Sequence, residues 1–595
     1  MYPIKTGQEA WDSKRVLNLL GGLDGTKTAE QLADNQAVTL QNVVARKGRL
    51  QSDTGYVTVG EVVIGNPQRT YKFKRRDLSE ENILITTSTV YQWNVSLRQW
   101  LLLKGTVGTT TTAPYGAGAT IIAVADATGF STGDIAWVTL DNGSQLQGTI
   151  TVSGLLFTFS AAVPAGRSIA NGATVNRAPM LNGDADIHVS ITTVPGSDWM
   201  VFTNGVDIVK RYDGTDVVDV PNLPAGGVIV CNAVIVYNTA LFLIGTVEAG
   251  IRYNQRVRRS NQTDPTDWTG GTAGTDDLMD SSDMLLEAEL LGPYLIVYRE
   301  RGIVRGSFFG SGGVNYRWDT TISEEGPISA GAIANLGDHH VFVGHDNIYK
   351  YNGDFTLDPI GEQIFDYTLG YQGNIDPEYE GRTFVVFVSE LDEIWIFYTS
   401  TVSTDHGCDS VIRYNLTTRM WYTRNFADSF TGHGFYRKQL GLSWILTPGT
   451  WAAQTGKWRD KRFSARAATV QLCSAITDRV MDYDFTASLD NTTPIEYIVE
   501  TKDFSLGSAE LRHDIFDVYM QGTDVLLEYS TDSGTTYNTL AVINQPTLGR
   551  ITIGHQFVAN KVRFRWSGSS ADFVLEWFEF TYKIESVTGY LNNNL

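Results

Sequence analysis

The feature that most constrains this 595-residue chain is a short pattern that returns along it. Each copy runs from β-branched residues through a tyrosine into a polar turn, then into another short strand. It reads Thr89-Val90-Tyr91-Gln92-Trp93-Asn94 continuing to Trp100, and Ile208-Val209-Lys210-Arg211-Tyr212-Asp213-Gly214. It returns as Ile348-Tyr349-Lys350-Tyr351-Asn352-Gly353, and as Val411-Ile412-Arg413-Tyr414-Asn415-Leu416 continuing to Trp421. Gly302-Ile303-Val304-Arg305-Gly306 reads as a truncated copy. Tyr-Asp-Gly and Tyr-Asn-Gly close tight hairpins because Asn, Asp and Gly tolerate positive φ. A small sheet of three or four strands cannot bury both of its faces, so such units must stack. Radial stacking gives a β-propeller. The competing arrangement is a set of unrelated sandwich hairpins that share turn chemistry.

The rest of the chain agrees with an all-β fold. Residues 82–88, 199–203, 229–237, 241–245, 294–298, 341–344 and 394–398 are rich in β-branched and aromatic residues, and most are followed by Gly, Asn or Asp. The best helix candidate is Ala29–Ala33, before the turn residues Asp34-Asn35. Residues 105–178 are rich in Thr, Ala and Gly and nearly free of charge, which suggests a small β domain inserted between propeller strands. Residues 495–585 alternate apolar and polar positions, as antiparallel strands of a β-sandwich do. The expected division is 1–104 for an N-terminal segment and first propeller strands, 105–178 for the insert, 179–489 for the remaining blades and 490–595 for the sandwich.

The net charge of −20 argues against a regulator that grips nucleic acid, since that affinity comes from a basic face displacing counterions. An acidic surface suits a conduit over which DNA slides without sticking. Cys231, Cys408 and Cys473 lie far apart, so buried free thiols from a reducing cytosol are expected, rather than disulfides or a zinc site. The polar opening residues do not read as a signal peptide, and no apolar run of about 18 residues marks a membrane span. These readings place folding in a host cytoplasm.

Signals for chemistry are sparse. No GxSxG, HExxH or GxxxxGK[ST] motif is present. His339, His340 and His345 form the one local histidine group, and they read as polar residues flanking a strand more readily than as metal ligands. Asp264, Asp267, Asp276, Asp277, Asp280 and Asp283 lack the spacing of a calcium loop. Neither Glu324-Glu325 nor the pair Glu378 and Glu380 shows by spacing that it converges as a glycosidase pair would. No catalytic residue, metal or cofactor is expected. Basic clusters at Lys72, Lys74, Arg75 and Arg76, at Arg252, Arg256, Arg258 and Arg259, and at Lys457, Arg459, Lys461 and Arg462 oppose the overall charge. They suit either subunit contacts or charged strand edges. The subunit-contact candidates are Arg252, Arg256, Arg258, Arg259, Trp268 and Trp458, since Arg and Trp carry much contact energy.

A family resemblance rests on several collinear segments. They are Gly21-Gly22-Leu23-Asp24-Gly25, Asp34-Asn35-Gln36-Ala37 and Leu40-Gln41-Asn42-Val43, with the basic Arg46-Lys47-Gly48-Arg49. Further along come Leu241-Phe242-Leu243-Ile244-Gly245, Arg258-Arg259-Ser260 and Asp264-Pro265-Thr266-Asp267-Trp268. Leu295-Ile296-Val297-Tyr298-Arg299-Glu300-Arg301-Gly302-Ile303 and Ser323-Glu324-Glu325-Gly326 complete the set. Together they resemble the tail nozzle proteins of short-tailed bacteriophages, also called tail tubular protein B. The resemblance implies a non-enzymatic virion protein with a propeller core. It also implies a homohexameric ring at the distal tail, below an adaptor protein. Such a ring would enclose the DNA channel and offer docking sites for fibres or spikes. Two other functions are compatible with a propeller: carbohydrate binding for attachment to the host surface, and hydrolysis of a polysaccharide.

Overall fold

The computed structural model describes residues 11–310, 316–365, 374–437, 468–507 and 509–587. Among them the elements are β-strands and three short 3-10 turns, and the chain is all-β. It is a β-propeller core with an inserted small β domain and a C-terminal β-sandwich.

Five four-stranded antiparallel sheets follow one another along the chain. Blade 1 is Pro67–Lys74, Glu80–Thr86, Val90–Asn94 and Gln99–Leu102. Blade 2 runs from Ser190–Val194 to Val217–Asp219, and blade 3 from Ile229–Tyr237 to Gly274–Asp277. Blade 4 runs from Leu285–Leu291 to Tyr316–Ser323, and blade 5 from Ile333–Asn335 to Asp358–Pro359. Two more blades share the long strand Met420–Arg437. Its first half closes blade 6 by pairing with Cys408–Asn415 (Asn415↔Met420, Ile412↔Thr423). Its second half opens blade 7 by pairing with Ala468–Ser474 (Phe435↔Val470). Val480–Tyr483 follows, and the outer strand of blade 7 is Tyr56–Val59 from the start of the chain (Tyr483↔Tyr56). An N-terminal strand therefore closes the ring of blades.

The hydrophobic clusters between blades lie in the seams of neighbouring sheets, which is how the small sheets hide their second faces. Phe73, Ile83 and Ile85 of blade 1 pack with Met200, Phe202 and Tyr212 of blade 2. Val201 meets Leu241 and Leu243 across the next seam, and Phe242 meets Leu295 and Val297 across the one after. The last seam joins Leu84, Tyr91 and Trp100 of blade 1 to Cys473 and Val480 of blade 7. Here the backbones approach so closely that a Cβ on Gly432 would lie 1.8 Å from the Gln68 carbonyl oxygen.

The recurrent tyrosines occupy one position. Tyr91, Tyr212, Tyr351 and Tyr414 all sit on the third strand of their blades, and Gly302–Phe308 is the third strand of blade 4. The expected turns follow two of them, with Gly214 at φ 91° and Gly353 at φ 89°. Trp100 and Trp421 lie on the fourth strands and are buried.

The insert is a six-stranded sheet from Gly108–Thr110 to Thr174–Arg177, with its own core around Phe157, Phe159 and Val175. The sandwich is built on Ala509–Ser530 and Asn538–Ala559, long bent strands that pair with each other. One part of Ala509–Ser530 also pairs with Val574–Val587, the other with Lys561–Gly568. Phe516, Phe564, Trp566, Phe578 and Phe580 fill the space between. N-terminal strands complete it: Asp12–Val16 pairs with Val574–Val587, and Gln36–Gln41 with Tyr497–Thr501.

The helix expected at Ala29–Ala33 is instead a pair of turns. Gln31 N–H donates to the Thr28 carbonyl at 2.8 Å, and Gln36 Oε1 accepts from Ala33 N–H at 2.8 Å. Five residues are too few to repay helix nucleation, and the Gln36 side chain fixes the alternative through Asp24 at 3.0 Å.

A buried ionic network ties these parts together. Asp53 Oδ2 lies 2.7 Å from Arg413 Nη1 and 2.9 Å from Arg424 Nε, and Arg424 Nη2 lies 2.6 Å from Asp490 Oδ1. Burial alone would raise the Asp53 carboxyl, but the two guanidiniums outweigh it and hold the group below the usual carboxylate range. Asp53 stands just before the closing strand Tyr56–Val59, while Arg413 and Arg424 belong to blade 6.

Candidate functional site

The inner strands of the seven blades surround an axial channel of ≈ 810 Å³. Successive strand residues point to opposite faces, so residues two apart share the axial face. This places Arg69 and Tyr71 of blade 1, Glu287 and Glu289 of blade 4, and His433 and Phe435 of blade 7 on the channel wall. A second cavity of ≈ 560 Å³ shares His188 and Ala330 with the channel and is lined by Arg252, Glu300 and Arg301.

The polar groups converge on one side. Arg69 Nη1 donates to His188 Nε2 at 2.7 Å, so that imidazole is neutral with its proton on Nδ1. His188 Nε2 lies 3.9 Å from Glu287 Oε2. Glu287 Oε1 accepts from Ser190 Oγ at 3.1 Å and from Ala288 N–H at 3.0 Å. Glu289 Oε2 accepts from Asn335 Nδ2 at 3.2 Å. The buried His433 leaves Nδ1 without a hydrogen-bond partner.

Burial drives the charge states. It pushes the Glu287 carboxyl up to about 8 and raises Glu289 as well. It lowers His188 and His433 well below the usual imidazole range, and nearby Arg69 adds to the effect. Near neutral pH both imidazoles are uncharged and Glu287 is mostly protonated. Arg69 is then a cation with no carboxylate in ion-pair reach among the described residues.

The residues picked from sequence lie elsewhere. Arg256 and Arg258 project from the third strand of blade 3 into internal ion pairs. Arg256 holds Asp277 with two bonds of 2.8 Å, and Arg258 grips Glu248 at 2.9 and 2.7 Å. Arg259 reaches Asp276 at 2.5 Å and lies over the Tyr316 ring. Arg252 opens onto the second cavity, beside Met284. Trp268 is 3% exposed and packs in the seam between blades 2 and 3, so it is covered within the chain. Trp458, with the Lys457–Arg462 cluster, lies outside the described residues. Arg75 pairs with Glu81 and Asp198, and Lys72 with Glu80.

The acidic run supplies partners for these cations. Asp276 and Asp277 hold Arg259 and Arg256, Asp280 holds Arg299, and Asp267 braces its own loop through Asn261. His340 is a core histidine: its Nδ1 accepts from the Tyr298 hydroxyl at 2.8 Å and its Nε2–H donates to the Leu290 carbonyl at 3.1 Å. The three cysteines are buried free thiols, each raised to about 12 by burial.

Sequence reasoning passed over Arg69, His188, Glu287, Glu289 and His433. The signal was the alternation of polar residues on inner strands, as in Glu287-Ala288-Glu289. It becomes legible only once the axis is known.

No family model and no curated protein matches the chain. Solved structures that resemble it include Raptor of Chaetomium thermophilum, at 5% identity and TM-score 0.25 over 72% of this chain. The match spans 29% of the Raptor chain. Others are AztD of Citrobacter koseri (8% identity, TM-score 0.25, 75% of this chain and 99% of that one) and an exo-beta-1,3-galactanase of Phanerochaete chrysosporium (6%, 0.22, 68% and 96%). Similarities of this size transfer no activity to the chain.

Proposed function

We propose that the chain is a non-enzymatic building block of a short-tailed phage tail, the nozzle that surrounds the path of exiting DNA. The observation that carries this reading is the place of the family-like segments in the fold. Asp264–Trp268 staples the seam between blades 2 and 3, and Leu295–Ile303 forms the middle of blade 4. They are devices for holding a scaffold rigid, as a structural role requires. The charge supports the same reading, because three of the four arginines picked as contact candidates, Arg256, Arg258 and Arg259, are spent on internal ion pairs within a chain of net charge −20. Phosphate groups sliding past such a surface find few free cations to hold them.

In this reading the copies form a ring, expected to be a hexamer. The ring would meet an adaptor protein on one side and fibres or spikes on the other. The DNA path is the hole of that ring and is distinct from the channel within each propeller. The test is a phage carrying a nonsense mutation in this gene. DNA-filled heads that lack the distal tail and regain infectivity on adding purified protein support the proposal. Complete tails in the mutant particles refute it. The polar axial channel favours a second reading, saccharide binding at the host surface.

A further inference from the structure

We propose that the axial channel is a binding site for an acidic monosaccharide unit, a uronic acid, with its carboxylate on Arg69. The site does not depend on the ring proposal. Three features of the channel specify this ligand.

The first is charge. Arg69 lies on a channel wall built by the inner strands, its Nη1 is held by a neutral imidazole at 2.7 Å, and among the described residues no carboxylate lies within ion-pair distance, Glu287 and Glu289 acting on it only at longer range. A guanidinium on a channel wall with no directly ion-paired carboxylate is open to an anion. Its planar fork matches a carboxylate in bidentate fashion. His188 holds one nitrogen of the guanidinium in place.

The second is an unspent hydrogen-bonding group. His433 Nδ1 is buried on the channel wall with no hydrogen-bond partner among the described residues. A buried polar atom left unsatisfied costs about 1–3 kcal/mol, and a ligand hydroxyl would recover it. Ser190, Thr192 and Asn335 line the same space and add further polar groups.

The third is size and surface. A cavity of ≈ 810 Å³ is far larger than a bare phosphate or chloride needs and lies in the range of sites for small organic molecules. Phe387 and Phe435 are only partly buried and face the channel. Aromatic faces beside convergent polar groups suit a sugar ring, which has apolar C–H faces and a polar rim.

Isothermal titration of the full chain with glucuronate, glucose and inorganic phosphate tests this at pH 6.5. The expected result is saturable binding of glucuronate, at least about tenfold weaker binding of glucose, and no competition from phosphate at equal concentration. Arg69→Gln should abolish glucuronate binding while leaving the circular dichroism spectrum unchanged. Absence of glucuronate binding, equal binding of glucose, or displacement by phosphate overturns the proposal. If Arg69→Gln fails to fold, a crystal of the wild-type chain soaked in glucuronate decides. Density for a carboxylate against Arg69 supports the site, and an empty channel or density elsewhere refutes it.

Discussion

Asp53→Asn removes one negative charge from a network buried away from solvent. The Asp53 side chain is 1% exposed, and its Arg413 and Arg424 partners are 0% and 1% exposed. Arg424 retains Asp490 at 2.6 Å. Arg413 loses its ion-pair partner and remains stacked 3.9 Å over the Trp395 ring. Breaking a buried pair from one side costs about 3–5 kcal/mol, because the remaining charge is uncompensated. The loss concentrates where Asp53 works, at the junction between blade 6 and the strand Tyr56–Val59 that closes blade 7. Amide hydrogen exchange reads this directly, since it reports the free energy of local opening. The expected result is exchange about two to four decades faster across Tyr56–Val59 and Val480–Tyr483. The insert, with its separate core, should keep its protection. A uniform change over the whole chain, or a change below about threefold at Tyr56–Val59, would refute the view that this network locks the propeller.

Other outcomes follow from the same geometry. The Glu287 carboxyl is raised from 4.5 to about 8, so the folded chain holds a proton that the unfolded chain has released between those values. Wild-type stability should therefore fall as pH rises from 4.5 through about 8, and Glu287→Gln should flatten that slope by an amount on the order of 5 kcal/mol at most. Thermal unfolding across that pH range measures it, with Arg69, Tyr71, His188, Glu289 and His433 as the other titratable groups facing the channel among the described residues. Gly432→Ala forces a Cβ to 1.8 Å from the Gln68 carbonyl and should lower stability by about 1–3 kcal/mol or more, seen as a lower melting temperature. Trp268→Ala should cost about 3–5 kcal/mol in stability through a cavity at the seam between blades 2 and 3, read by chemical denaturation.

Much of the fold was legible because local rules and tertiary need agreed. The tyrosine turns stand on the third strands of blades, since their Gly and Asp residues fix hairpins wherever they occur. The alternating C-terminal strands gave the sandwich for a similar reason. What stayed hidden depends on long-range pairing. Nothing local tells Tyr56–Val59 to close a blade with Val480–Tyr483, or Asp12–Val16 to pair with Val574–Val587. The arginines of blade 3 looked like free cations because their partners Asp276 and Asp277 lie on the neighbouring strand. Trp268 looked like a contact residue because its loop is polar, yet its ring fills a seam. The channel groups come from different blades, and only the packing of blade 2 against blade 1 brings Arg69 to His188.

The most direct test of the proposed nozzle role is a cryo-electron microscopy reconstruction of short-tailed phage particles assembled with this protein. The account predicts a ring of copies at the distal tail, each showing a seven-bladed propeller joined to a sandwich, with the DNA path through the ring's centre. Isolated copies at the tips of fibres, or a tail whose distal density fits no such propeller, would contradict it.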